Sequence, residues 1–176
     1  MANETLLQFY RGFGTDDRGR TIEDIWGFTH DDLEGVHDYI QWLFPLGERS
    51  AFNPNAPLVD QETAETFRRD ERLRGNVERS LRVMLEFYGL AIAGHEILRV
   101  PTFGERSRNW LRPHNHNFLR LTRILKSLML LGHTDRAEQL LAALEAIHRR
   151  QPAVIAEDTL RYWRQAAKAD SSLRSE

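Results

Sequence analysis

The stretch Asn115–Arg150, NHNFLRLTRILKSLMLLGHTDRAEQLLAALEAIHRR, decides the fold class. Phe118, Leu121, Ile124, Leu125 and Leu128 recur at three- and four-residue intervals, and Ala137, Leu140, Leu141, Leu144 and Ile147 repeat the pattern. That period sets each group on one face of an α-helix, with Arg120, Arg123 and Lys126 off the first stripe. The predicted helices are Asn115–Leu131 and Asp135–Arg150. Gly132 closes the first and Thr134 caps the second. So short a link folds the two back on each other as a hairpin.

Working outward, the same signals repeat. Asp70 caps a helix over Glu71–Tyr88, with Leu73, Val77, Leu81, Met84, Leu85 and Tyr88 as its stripe and Gly89 at its end. Gly75 lies inside it, costs ~1 kcal/mol against alanine, and is expected to allow close helix packing. Asp60 caps Gln61–Arg69. Thr29 caps a helix that runs to Phe44, where Pro45 ends it. Its apolar stripe is Leu33, Val36, Ile40, Leu43 and Phe44. Thr21 caps Ile22–Trp26, Gly27 stops it, and Glu4–Tyr10 makes a helical turn. Downstream, a helix over about Ala156–Ala169 buries Leu160 and Trp163, and residues 170–176 fray. Residues 90–113 read mostly as loop, with a brief extended segment near 92–100 held open. The sum is an all-α, single-domain bundle of about six to eight helices over residues 1–176.

There are no cysteines, which excludes disulfides, thiolate metal ligands and cysteine nucleophiles together. No apolar run approaches the ~18–20 residues of a membrane span, and the N-terminus shows no secretory pattern. The expected location is the cytoplasm, with no membrane partner. Net charge is −2, yet residues 1–67 hold 13 acids and 4 bases, and residues 68–131 hold 13 bases and 6 acids. Either the halves attract each other, or the basic segment meets an anion such as a nucleic acid.

The polar string His114-Asn115-His116-Asn117 stands where a helix begins, with Arg112 before it and Arg120 and Arg123 after. Unpaired backbone N–H groups and the helix dipole favour anions there. The plainer alternative is that Asn115 or Asn117 caps the helix while the histidines bond buried carbonyls. A metal set would need His37, Asp38 or His95 beside His114 and His116, and the spacing matches no established signature. In the helix predicted to end at Phe44, His37 and Gln41 share one face and Asp38 and Trp42 another. These four either line a groove or form a buried network that fixes helix packing. Trp110 and Trp163 read as core. No phosphate loop, dinucleotide fingerprint or nucleophile elbow is present, so no catalytic residue and no cofactor is assigned.

Four strings carry a resemblance. They are Phe9-Tyr10-Arg11-Gly12, His37–Pro45 (HDYIQWLFP), Phe87-Tyr88-Gly89, and His114–Leu128 (HNHNFLRLTRILKSL) running on to Gly132. Over about residues 9–132 the chain resembles the conserved domain of the opioid growth factor receptor family, with residues 134–169 as a helical extension. The resemblance implies that family's domain. Its animal members are described as binding the pentapeptide Met-enkephalin and carry a repeat-containing tail after the domain; this chain resembles the short bacterial members. It implies no catalytic residues.

The first expectation is therefore a non-enzymatic binding domain. A polar groove between the His37–Trp42 helix and the Arg112–Arg123 helix start would hold a peptide, a protein segment or a small anionic ligand. Its residues would be His37, Asp38, Gln41, Trp42, Arg112, His114, Asn115, His116, Asn117, Arg120 and Arg123. Nucleic-acid or phosphate binding through residues 68–131 stands second. A hydrolase or transferase using His114 or His116 as acid or base stands third.

Overall fold

The computed structural model describes residues 1–168; the expected frayed tail at 170–176 lies outside them. Ten α-helices and one small sheet appear among the described residues. The chain is mostly helical, and its contacts resolve into two compact units.

The first unit spans Met1–Tyr88 with Leu130–Gly132. It holds α1 (Glu4–Arg11), α2 (Ile22–Trp26), α3 (His30–Gly35), α4 (Ile40–Leu43), α5 (Gln61–Arg69) and α6 (Glu71–Tyr88). Its helix starts follow the expected caps. Thr21 with Asp24, and Thr29 with Asp32, form reciprocal capping boxes. Asp60 accepts from the backbone of Thr63, and Asp70 from those of Arg72 and Leu73. Both α1 and α5 pack against α6, whose residues Leu73, Val77, Leu81, Met84 and Tyr88 are buried. Tyr10 and Phe67 meet edge to face there, with ring centroids 5.0 Å apart.

The helix expected to run from Thr29 to Phe44 is two helices. Val36 turns extended, with φ −89° and ψ 131°, just after Gly35. The Tyr39 hydroxyl then donates to the Leu33 carbonyl at 2.7 Å, bonding a C-terminal carbonyl of α3 and not continuing the helix. His37 and Gln41 therefore do not share a helical face.

Among the described residues the second unit spans Gly89–Met129 and residues 133–168. Strands β1 (Leu90–Ala93) and β2 (Glu96–Arg99) pair antiparallel, Leu90 opposite Arg99, through Gly94 and His95. This hairpin corrects the all-α reading, and the expected extended segment is its substance. Then come α7 (Phe103–Trp110), α8 (Asn117–Leu130), α9 (Thr134–Arg150) and α10 (Glu157–Ala166). Helix α7 was expected as loop; it is short, and only Phe103 and Trp110 in it are buried, too few for a periodic signal. Counting α7 and the divided 29–44 helix brings the eight expected helices to ten.

Gly89 passes the chain from α6 into β1 at φ +79°, where a Cβ would stand 2.7 Å from the Phe103 Cα. Helix α9 packs on β2 and α10 on α9. Trp163 is fully buried, donates its indole N–H to the Phe118 carbonyl at 3.1 Å, and meets the Phe118 ring edge on. Thr134 is the first residue of α9 and not its cap. The His133 N–H bonds the Leu128 carbonyl at 2.8 Å, which closes the turn one residue early.

Gly75 departs from expectation as well. A Cβ there would meet nothing within 4 Å, so it serves no close packing. Gly75→Ala should raise stability by about 1 kcal/mol and the Tm by about 2–4 °C in a thermal melt. A fall in Tm would show that the position is not open.

Candidate functional site

The expected site residues divide between the units. His37, Asp38, Gln41 and Trp42 lie in the first; Arg112 to Arg123 lie in the second. Each group is a structure in its own right.

In the first unit the loop Asp16-Asp17-Arg18-Gly19-Arg20 organises the group. The Asp16 side chain, with none of its surface exposed, accepts from the backbone N–H of Arg18 and of Arg20, both at 2.9 Å. It also accepts from Arg20 Nε at 2.6 Å. Arg20 then reaches Asp38 at 2.9 Å, and Arg18 reaches the other Asp38 oxygen at 2.9 Å. Asp17 accepts from the Trp42 indole at 3.1 Å. Sequence analysis assigned no role to Asp16 and Asp17 and paired neither with Asp38 or Trp42. The signal available was two acids beside two arginines within five residues.

Partial burial alone would raise the Asp38 carboxyl. The hydrogen bonds and charge of Arg20 and then Arg18 outweigh it and hold that carboxyl below the usual range. Burial alone would likewise lower the Arg20 guanidinium, and Asp16 and Asp38 raise it. Asp38 and Trp42 are thus committed to holding this loop. Gln41 differs: it is 4% exposed, and its Oε1 has no hydrogen-bond partner. A buried acceptor left unbonded costs free energy.

In the second unit the HNHN string splits by direction. Asn115 and Asn117 turn to the helix. Asn115 Oδ1 accepts from the Asn117 backbone at 2.9 Å and from its side chain at 3.0 Å, while Asn115 Nδ2 donates to the Asn109 carbonyl at 3.3 Å. Asn117 Oδ1 accepts from Arg120 Nη1 at 3.4 Å, and both residues are buried. This is the capping role anticipated for the asparagines. Arg112, His114 and His116 are exposed, so neither histidine is buried, and His116 Nε2 lies 3.4 Å from Asn117 Nδ2. Arg123 is half-buried. His114 has φ 59°, the one positive value outside glycine among the described residues. Leu119, which the sequence reading passed over, is 63% exposed beside this string. Among the described residues no three His, Cys, Asp or Glu side chains gather as a metal set. No helix there is long and apolar enough to cross a membrane.

Comparison with known proteins agrees with the four strings. The family described as "Opioid growth factor receptor (OGFr) conserved region" matches residues 2–175. The mouse opioid growth factor receptor is 42% identical over 120 residues, covering 65% of this chain and 19% of the receptor. The human one is 39% identical over 120 residues, 65% of this chain and 17% of the receptor. The mouse opioid growth factor receptor-like protein 1 is 35% identical over 135 residues, 72% of this chain and 28% of that protein. The chain thus spans a quarter or so, or less, of these relatives. No solved structure matches.

Asp38 contributes stability above its unfolded value of about 3.9, and loses that contribution as pH falls through its lower folded value. Denaturant titrations should find Asp38→Asn less stable than the parent near neutrality, with the gap closing toward about pH 2. A gap that stays constant with pH would show that the charge contributes nothing.

Proposed function

The chain belongs to the opioid growth factor receptor conserved-region family, and on that premise we propose that it is a binding domain for a short peptide, held at the start of α8. The observation that supports this most is the division of the HNHN string. Two asparagines satisfy the helix start, and the two histidines beside them are exposed, His116 with its Nε2 3.4 Å from Asn117 Nδ2 and His114 turned to solvent. One of these, His114, holds a left-handed conformation that costs a non-glycine residue about 1 kcal/mol. Strain kept at an exposed side chain is a mark of function more than of stability.

The chemistry fits a peptide carboxylate. Arg112 bonds the Arg108 carbonyl through Nε at 2.6 Å, which orders its guanidinium and leaves the Nη pair to face a carboxylate, and the imidazoles add donors. Leu119 gives an adjacent apolar contact. The relatives are named as receptors for a growth factor, and a receptor holds a ligand.

Isothermal titration with an apolar pentapeptide bearing a free carboxy terminus tests it. Binding should be lost in His116→Ala and in the peptide amide. His114→Gly should lose binding and hold or raise the Tm, by up to about 2–4 °C, because glycine relieves the strained φ. If His114→Gly lowers the Tm and binds the peptide normally, the histidine is structural and the proposal fails.

A further inference from the structure

We propose a second binding site, on the outer face of α6 in the first unit, where Arg72 and Arg79 form a two-point clamp for a peptide segment carrying two carboxylates. The site shares no residue with the one at α8 and stands independently of it.

Seven residues of one helix separate Arg72 from Arg79, which is two turns, so both lie on the same face about 10.5 Å apart. Each guanidinium lies over an aromatic ring. Arg72 is 4.7 Å from the Phe13 ring centroid, and Arg79 is 4.1 Å from that of Trp26. Neither ring is placed by α6. Gly12 ends α1 at φ +81°, and the N–H groups of Phe13 and Gly14 both bond the Gln8 carbonyl, which turns Phe13 back. Trp26 is fixed by its indole N–H, which donates to the buried Ser80 hydroxyl at 3.0 Å.

The neighbouring arginines show what is unusual. Arg11 pairs with Asp70, Arg69 with Glu65 and Arg82 with Glu78. Arg68 and Arg74 donate to backbone carbonyls. Among the described residues the guanidiniums of Arg72 and Arg79 make neither hydrogen bond nor ion pair. A stacked guanidinium keeps its N–H edge free and its stem ordered, which is the preorganised state for gripping a carboxylate in two-point fashion.

Between the two clamps the surface is low. Gly75 has open space where a side chain would be, and the Asn76 amide turns inward to the Tyr10 carbonyl. A segment can therefore lie against the helix between its two anchored ends. Glu23, whose carboxylate would sit 3.0 Å from a Cβ on Gly12, borders the Phe13 end and selects against bulky polyanions. Residues 1–88 hold 17 acids and 10 bases, a net charge of −7. That field repels a nucleic-acid backbone at range, while short-range clamping of two carboxylates survives it.

The probe is an end-capped alanine-based helical peptide whose only charges are two glutamates seven residues apart, titrated into the full chain by fluorescence anisotropy at low salt. Arg72→Gln and Arg79→Gln should each weaken binding about tenfold, and Arg82→Gln should leave it unchanged. Gly75→Leu, which keeps every charge, should block it by filling the saddle. Melting curves of all four variants confirm that each is folded. Equal binding by a glutamine version of the peptide, or by the Arg72→Gln/Arg79→Gln double variant, overturns the proposal. So does tighter binding by a single-stranded oligonucleotide in the same buffer. Loss of pentapeptide binding in His116→Ala with this probe unaffected separates the two sites.

Discussion

The Ser80 hydroxyl has no access to solvent, and what it does governs the first unit. It accepts the Trp26 indole proton at 3.0 Å and lies 3.3 Å from the Tyr10 oxygen. Tyr10 has a single proton, and the Leu43 carbonyl beside it can only accept, so that proton goes to Leu43 and Ser80 donates to Tyr10. The bonds run in one sense, from Trp26 through Ser80 and Tyr10 to Leu43, and tie α2, α6, α1 and α4 together. Trp26 is half-buried and the other members are buried; a buried polar group left unbonded costs free energy, so the four elements hold one arrangement. Burial pushes the Tyr10 phenol above its usual range, against the opposing Ser80 bond. The tyrosine therefore stays a donor at any pH the fold meets.

Two surface features depend on that interior. The relay fixes the Trp26 ring, and the Arg79 guanidinium rests on it. Tyr10 seats α1, whose glycine end directs Phe13 under Arg72. A clamp built of two mobile arginines would lose rotamer freedom on binding; one stacked on rings held from below loses less. The apolar core supplies the affinity of the helices for one another, and the hydroxyl at its centre sets where they stop.

Local signals were legible in the sequence because they are short-range. Thr21, Thr29, Asp60 and Asp70 act on N–H groups two or three residues away, and each caps the helix it was expected to cap. The stripe on α6 and the one on α8 needed only the helical period. What the period could not show was the break at Val36–Tyr39, since Val36, Ile40 and Phe44 fit one helix well. The break is held by Tyr39 bonding back to Leu33 and by Asp38 going to Arg18 and Arg20 about twenty residues away. Tertiary bonds of that reach leave no periodic trace. The same holds for Trp26, which reads as a helix end until α6 is beside it.

The HNHN string shows the limit most sharply. Its four residues are chemically alike in a linear reading, all polar and all able to cap. In the fold they alternate: the asparagines face the helix, and the histidines face solvent. The alternation comes from the Arg112–Asn115 turn, where the Asn115 N–H bonds the Arg112 carbonyl and His114 is forced to positive φ. A glycine at position 114 would make that turn without strain, as glycines 12, 89 and 132 do at their own left-handed positions. That this chain keeps a histidine there separates the needs of the backbone from those of the side chain. The backbone alone would be served by glycine, and it is on the imidazole kept at this position that the proposed peptide site rests.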